Sequence, residues 1–321
     1  MIDGCGREID HLRVSVTDHC NLACRYCVPA QPRPAAAQRI DPDFAFQAVE
    51  WMVSEHGIRH VRLTGGEPLL HPEIVSLARR LTALPQLEEL TLTTNGQALA
   101  AHAVALRNAG VKRVNVSLDS LDPDRFHYIT RGGELSRTLT GVNAALDAGL
   151  TPVKLNVVVQ RGVNDDEVVE MAEWGMARGC IVRFLEVMPI GPSTHVIDEH
   201  LVSAAEIIER LGRMFDIREI PHPPGQPAVD YSVHGQRGRG VVGIIAPTTR
   251  PFCSRCRRIR LTSRGSLVPC VHDRNRADLT EAWINARLDR TIADQILAEI
   301  VAAKAPVGPM NQNVPLITIG G

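Results

Sequence analysis

Six of the eight cysteines fall into two spaced triplets. Cys20, Cys24 and Cys27 sit in CNLACRYC as C-x3-C-x2-C, and Cys253, Cys256 and Cys270 follow as C-x2-C-x13-C. In a reducing compartment, clustered thiols serve as metal ligands or catalysts rather than as disulfides. Structural zinc takes four ligands in paired short spacings. The first triplet has no fourth ligand nearby: His19 adjoins Cys20 and would strain to share its metal. A cubane iron–sulfur cluster normally takes four thiolates, so three leave one iron open to chelation by a small molecule. The spacing, with Tyr26 before the last cysteine, points to such a cluster. At the second triplet zinc remains a full alternative, because His272 completes a Cys3His set. Cys5 and Cys180 stand alone and read as small idle or buried thiols.

These ligands need a scaffold. Short β-branched runs recur at 12–17, 61–65, 90–96, 113–120, 153–160 and 181–187, separated by amphipathic helical stretches. Six strand–helix units imply a parallel sheet with right-handed crossovers. Periodicity fits a doubly wound sheet or a barrel. The polar residues favour the barrel: Thr17 to Cys20, Thr64-Gly65-Gly66-Glu67, Thr93-Thr94-Asn95, Ser117 with Asp119, and Glu186 with Met188 gather where strands end, so several strands deliver chemistry to one rim. The expected fold is α/β, a partial (β/α)6 TIM-type barrel over 1–220. A C-terminal α+β extension over 221–321 would close its opening. Within it, PHPPGQPAVD (221–230) reads as a connection, GQRGRG (235–240) as a hairpin turn and roughly 279–303 as one long helix.

The 321 residues carry a formal charge of −1, with 44% hydrophobic and 22% charged content. That balance calls for no nucleic-acid or membrane partner. With no apolar leader and no run of about 18 apolar residues, the reading is a soluble cytoplasmic protein. Only Lys112, Lys154 and Lys304 are lysines, so a lysine retained at position 154 in an arginine-rich chain reads as functional.

The cysteine loop, followed some forty residues later by Thr64-Gly65-Gly66-Glu67-Pro68 after a strand, resembles the radical S-adenosylmethionine superfamily. Together with the second triplet, LRVSVTDHCNLACRYCVP, VRLTGGEPLL, TTNG, VNVSLDSLDPDRF, KLNVVVQRGVNDDE and RFLEVMP resemble the GTP 3',8-cyclase family of molybdenum cofactor biosynthesis, from Leu12 to Gly321. The resemblance implies two [4Fe–4S] clusters, on Cys20/Cys24/Cys27 and Cys253/Cys256/Cys270. It implies S-adenosylmethionine held by Tyr26, Gly66, Glu67, Ser117 and Met188, and GTP held by Arg13, Arg62, Thr93, Lys154, Arg258 and Arg260. Arg183 would lie near the substrate, and Gly320-Gly321 would reach into the active site. The implied reaction is radical cyclisation of GTP between ribose C3' and guanine C8. Expected partners are an electron donor such as flavodoxin or ferredoxin, a downstream cyclic pyranopterin monophosphate synthase, and a second copy in a homodimer. Where this family usually has arginine, lysine and asparagine, the chain has His19, His60 and Arg257, and its tail is shorter. Two other readings are a radical enzyme acting on a peptide or another nucleotide, with the second cluster as electron relay, and a non-catalytic zinc module on Cys253, Cys256, Cys270 and His272.

Overall fold

A computed structural model describes residues 1–29, 38–221 and 225–308. The six expected strands form, as β1 (His11–Ser15), β2 (His60–Thr64), β3 (Glu89–Thr94), β4 (Arg113–Ser117), β5 (Lys154–Val159) and β6 (Ile181–Glu186). They pair in sequence order and in parallel. Helices α1 (Pro42–Glu55), α2 (Ile74–Thr82), α3 (Leu99–Asn108), α4 (Pro123–Thr130), α5 (Leu135–Asp147) and α6 (Val168–Met176) run between them. Helix α1 shows why the chain turns where it does. Asp41 accepts from the N–H groups of Asp43 and Phe44, Pro42 opens the first turn, and Phe44, Ala45, Ala48, Val49, Trp51, Met52 and Val53 are buried in the core.

The C-terminal region does more than cover the opening. After α7 (Ile197–His200) and α8 (Ala204–Gly212), β7 (Asp216–Glu219), β8 (Val229–Gly235) and β9 (Gly238–Ile245) form a meander whose last strand pairs in parallel with β6. Strand β10 (Arg258–Leu261) then pairs in parallel with β1 at the opposite edge, and β11 (Ser266–Val268) and β12 (Ala277–Asp278) continue from it. Eight parallel strands therefore run β10-β1-β2-β3-β4-β5-β6-β9. Laid flat they would span roughly 34 Å at the usual strand spacing. Yet one cavity of about 180 Å3 is lined by Arg258, Arg13, Arg62, Thr93, Asn115, Asn156, Arg183 and Ile245, one residue from each strand in that order. The sheet must curl around it. Among the described residues no ladder joins β10 to β9, so the barrel is open.

Residues 279–303 depart from the expected single helix. A hairpin of β13 (Trp283–Ile284) and β14 (Arg287–Leu288) interrupts it, and α9 begins only at Arg290 and ends at Ala302. Asn285 and Ala286 both take positive φ, 50° and 58°, the signature of a two-residue type I′ turn. Asp289 then caps α9 by accepting from Thr291 and Ile292 N–H. Among the described residues no helix is long and apolar enough to cross a membrane.

Candidate active site

At the C-terminal ends of the strands lies a cavity of about 190 Å3 lined by Cys20, Cys24, Cys27, Tyr26, Gly66, Ser117 and Met188, among others. The cysteine loop is pinned along the end of α4. Ala23 and Arg25 N–H donate to Thr130 and Ile129 carbonyls, and Arg131 Nη1 donates to the carbonyls of Ala23, Val28 and Pro29. Tyr26 Oη donates to Asp119 Oδ2 at 2.8 Å, and Asp119 Oδ1 accepts from Val158 N–H. Burial pushes the Asp119 carboxyl up to about 6. Burial, followed by Asp119 and the neighbouring thiols Cys27 and Cys20, holds the Cys24 thiol well above its usual range. A thiol so held ionises only against a cationic partner, and the iron of a cluster would supply one.

The two glycines are there for contact. Gly66 N–H donates to Thr17 carbonyl and Glu67 N–H to His19 carbonyl. A Cβ on Gly66 would stand 2.3 Å from the His19 carbonyl oxygen, and one on Gly65 (φ 152°) 2.4 Å from that of Thr17. Glu67 behaves differently from the expectation that its carboxylate meets a ligand. It is fully buried and lines no part of the cavity. Its oxygens accept from Thr94 Oγ1 (2.6 Å), Asn95 N–H (2.7 Å) and Leu69 N–H (3.1 Å), so it ties β2 to β3. Burial raises it to about 7 against these donors.

The second triplet lines the adjoining 180 Å3 cavity, together with Arg258, Arg260 and His272. Two residues that the sequence reading passed over fix it. Arg7, held to Asp3 at 2.7 Å, donates to the carbonyls of Cys253, Lys304, Ala305 and Pro306. Buried Lys304 Nζ donates to the carbonyls of Arg258 and Pro269. Among the described residues, neither triplet gathers three ligand atoms within 4.8 Å of one another, with or without His272, as a single ion requires. Burial and then Arg260 lower His272 to about 4.

A third space, a basin of about 630 Å3, opens at the starting ends of the strands. Arg13, Arg62, Arg113, Lys154, Arg183 and Arg258 line it, with His11 and His60 at one side, their rings 4.3 Å apart. Arg260, Arg13 and Arg62 are direct register partners on β10, β1 and β2. Burial and mutual repulsion depress these cations: Arg62 to about 9, Arg183 to about 10, Arg260 to about 10 and Lys154 to about 7, with Arg13 also well below its usual value. Cations crowded at such cost await a polyanion. Arg257 lines the same basin but is already paired with Glu8 and Asp10, and Glu88 and Glu89 add two further carboxylates to its wall.

Arg13 lines all three spaces. Thr93, Met188 and Arg260 line both cysteine-bearing cavities, and Arg62, Arg183 and Arg258 line the second cavity and the basin. Three spaces along the barrel lumen that share lining residues thus collect the expected residues, apart from Glu67; Gly320 and Gly321 lie outside the described residues. The basic residues, however, run down the lumen to its far end instead of sharing the rim. Arg113, Asn115, Asn156 and Asp119 also face it; in RVNVS and KLNVVV the signal was a polar residue breaking an apolar strand.

The Radical SAM superfamily profile matches residues 14–175, and the Molybdenum Cofactor Synthesis C profile matches 180–308. A GTP 3',8-cyclase of Moorella thermoacetica is 42% identical over 95% of this chain and 94% of its own length. One from Pelotomaculum thermopropionicum is 43% identical over the same shares. Streptococcus suis SuiB, solved with S-adenosylmethionine, has the same fold at TM-score 0.58, with 13% identity over 89% of this chain and 68% of its own. Methylornithine synthase PylB matches at TM-score 0.51, with 18% identity over 64% and 62%. With two cysteine-bearing cavities on a curled parallel sheet and relatives matching along nearly its full length, the chain belongs to the GTP 3',8-cyclase family of the radical S-adenosylmethionine superfamily, whose cofactors are S-adenosylmethionine and an iron–sulfur cluster.

Proposed function

We infer that this chain cyclises GTP between ribose C3' and guanine C8, and that each thiol triplet holds its own [4Fe–4S] cluster. The observation that carries the reading is the barrel lumen with one triplet at the rim, a second midway and a polycationic basin at the far end. When bound, the rim cluster and S-adenosylmethionine supply one-electron chemistry and a carbon-centred hydrogen abstractor.

The protein positions and shields. Arg13, Arg62, Lys154 and Arg258 bind the triphosphate, with Arg183 beside it, and the phosphates repay the repulsion among these groups, while Arg260 contacts the nucleotide between the two cysteine-bearing cavities. Thr93 reaches the nucleotide from the junction. The guanine edge faces the second triplet, and the ribose bridges the two cavities, so the reacting carbons are pre-positioned. Tyr26, Gly66, Ser117 and Met188 hold the cofactor, and Leu185, Met188 and Val271 keep water and stray hydrogen donors from the junction. Residues 1–220 then act as the radical-generating part and 221–321 as the substrate-anchoring part, with Gly320-Gly321 closing over the site. A small electron-transfer protein supplies reducing equivalents, and a separate enzyme converts the product to a pterin.

The test is anaerobic incubation of reconstituted protein with S-adenosylmethionine, dithionite and GTP, read by mass spectrometry. GTP-dependent 5'-deoxyadenosine together with a cyclised nucleotide supports the reading. Cleavage of S-adenosylmethionine with GTP untouched overturns it and points to another nucleotide or a peptide.

A further inference from the structure

One wall of the basin carries groups that a polyanion alone does not explain. Four carboxylates, Glu8, Asp10, Glu88 and Glu89, line the same space as the cations. A carboxylate facing phosphates repels them unless a cation stands between. Glu8 and Asp10 are answered by Arg257, and Glu89 by Arg113. Glu88 is different: its carboxylate stands 3.7 Å from His60 Nε2 and pairs with no arginine or lysine among the described residues. His11 and His60 are register partners on β1 and β2, so their side chains leave the sheet on the same side, with rings 4.3 Å apart. Asp10, His11 and His60 each offer one ligand atom within 4.8 Å of the other two. The other such group among the described residues, Glu55, His56 and Asp294, has a single imidazole. Asp10 also orients the ring beside it. His11 Nδ1 lies 2.5 Å from Asp10 Oδ1, and a carboxylate on one ring nitrogen leaves the other for a metal.

Two imidazoles flanked by carboxylates make a mixed nitrogen and oxygen donor set. Such a set takes a divalent first-row transition ion, whereas Mg2+ prefers oxygen ligands and keeps its waters. We propose that His11 and His60 hold one such ion at the wall of the basin, with Asp10 orienting His11 and Glu88 beside them, and that its open positions take oxygens of the bound triphosphate. The ion turns a wall of carboxylates from repelling the phosphates to attracting them. Naming the polyanion a triphosphate rests on the proposed GTP reading; the ion site itself does not.

The experiment is an anaerobic Mn2+ titration of cluster-loaded protein without reductant or nucleotide, with free Mn2+ read by electron paramagnetic resonance. Mn2+ is the probe because thiolates have little hold on it. A single Mn2+ per chain should bind, and His11→Ala and His60→Ala should each weaken it about 10-fold or more. His60→Lys, which supplies a charge but no ligand, should behave like His60→Ala. Kd for GTP is then measured with saturating Mn2+ and with saturating Mg2+. The unaltered enzyme should bind GTP about 10-fold tighter with Mn2+, and His60→Lys should lose that preference. Mn2+ binding no tighter than in a variant carrying both His11→Ala and His60→Ala would overturn the site and leave the two rings as packing. Equal GTP affinity with both ions would overturn the phosphate bridge. Should the alanine variants fail to load their clusters, Glu88→Gln, on an exposed side chain, is read instead and should also weaken Mn2+. Failure of the GTP reading looks different: Mn2+ would still bind, and GTP would bind with neither ion.

Discussion

Arg62 tests whether the basin is built for a polyanion rather than for stability. Its guanidinium falls from an ordinary 12.5 to about 9, through burial first and then the charges of Arg113, Arg183 and Arg258. Taken whole, that drop corresponds to about 5 kcal/mol against the charged form at neutral pH. Arg62 keeps part of its surface toward the cavity, so water screens it and about 1–2 kcal/mol is the defensible share. Against this stands its hydrogen bond to Thr91 Oγ1 at 3.1 Å, which contributes about 1 kcal/mol. Arg62→Met removes the charge and keeps the stem's packing. The nucleotide-free protein should therefore be unchanged or up to ~1 kcal/mol more stable, roughly 1–2 °C in Tm. Loss of a phosphate contact should weaken GTP about 10- to 150-fold, since hydrogen bonds to charged groups contribute about 1.5–3 kcal/mol. Differential scanning calorimetry with and without GTP reads both quantities at once. A variant that melts several degrees lower and keeps its full GTP-induced shift would refute the reasoning, because Arg62 would then be a structural residue.

Gly66→Ala should drive the His19–Cys20 backbone away by about 1 Å, since the new Cβ falls 2.3 Å from the His19 carbonyl oxygen and 3.0 Å from Cys20 Cβ. Iron should drop from ~8 to ~4 per chain as the rim cluster alone is lost, assayed after anaerobic reconstitution. Cys256→Ser should remove the other half of the iron, leaving cleavage of S-adenosylmethionine but no cyclised nucleotide. Lys154 sits near 7 because of burial and then Arg183 and Arg113, so it is substantially neutral in the empty basin at pH 8. Phosphates favour its charged form. GTP binding should thus take up a proton and weaken as pH rises from 7 to 9, a dependence that Lys154→Met flattens; calorimetry in buffers of different ionisation enthalpy measures it.

Much of the scaffold is legible because buried parallel strands are written as β-branched runs. The six strands over 12–17 to 181–187 form within a few residues of their expected limits, and their order follows from short right-handed crossovers. The thiol triplets are legible because spaced cysteines mark a ligand set, although Cys270 joins Cys253 and Cys256 in one cavity only through the antiparallel pairing of β10 and β11. What escapes depends on tertiary pairing. Nothing local in RRIRLTS says that it joins β1 while GVVGIIAP joins β6, so the extension reads as a cover rather than as two further barrel strands. The turn at Asn285-Ala286 lacks the glycine that marks a type I′ hairpin, and the apolar periodicity around it mimics a longer helix. Glu67 reads as a ligand group from its motif, but its direction is set by where β3 ends, at Thr94 and Asn95. The depth of Arg13, Arg62 and Lys154 in the lumen follows from their place early or midway along each strand, a cue that the rim motifs overshadow.

The central claim is that the lumen sets ribose C3' of GTP against the radical source at the rim. Incubation with GTP deuterated at C3', S-adenosylmethionine and dithionite, with mass analysis of the 5'-deoxyadenosine formed, tests it most directly. The account predicts one deuterium in that product, dependent on GTP and lost in Cys20→Ser. Unlabelled 5'-deoxyadenosine, formed at the same rate with or without GTP, would contradict it.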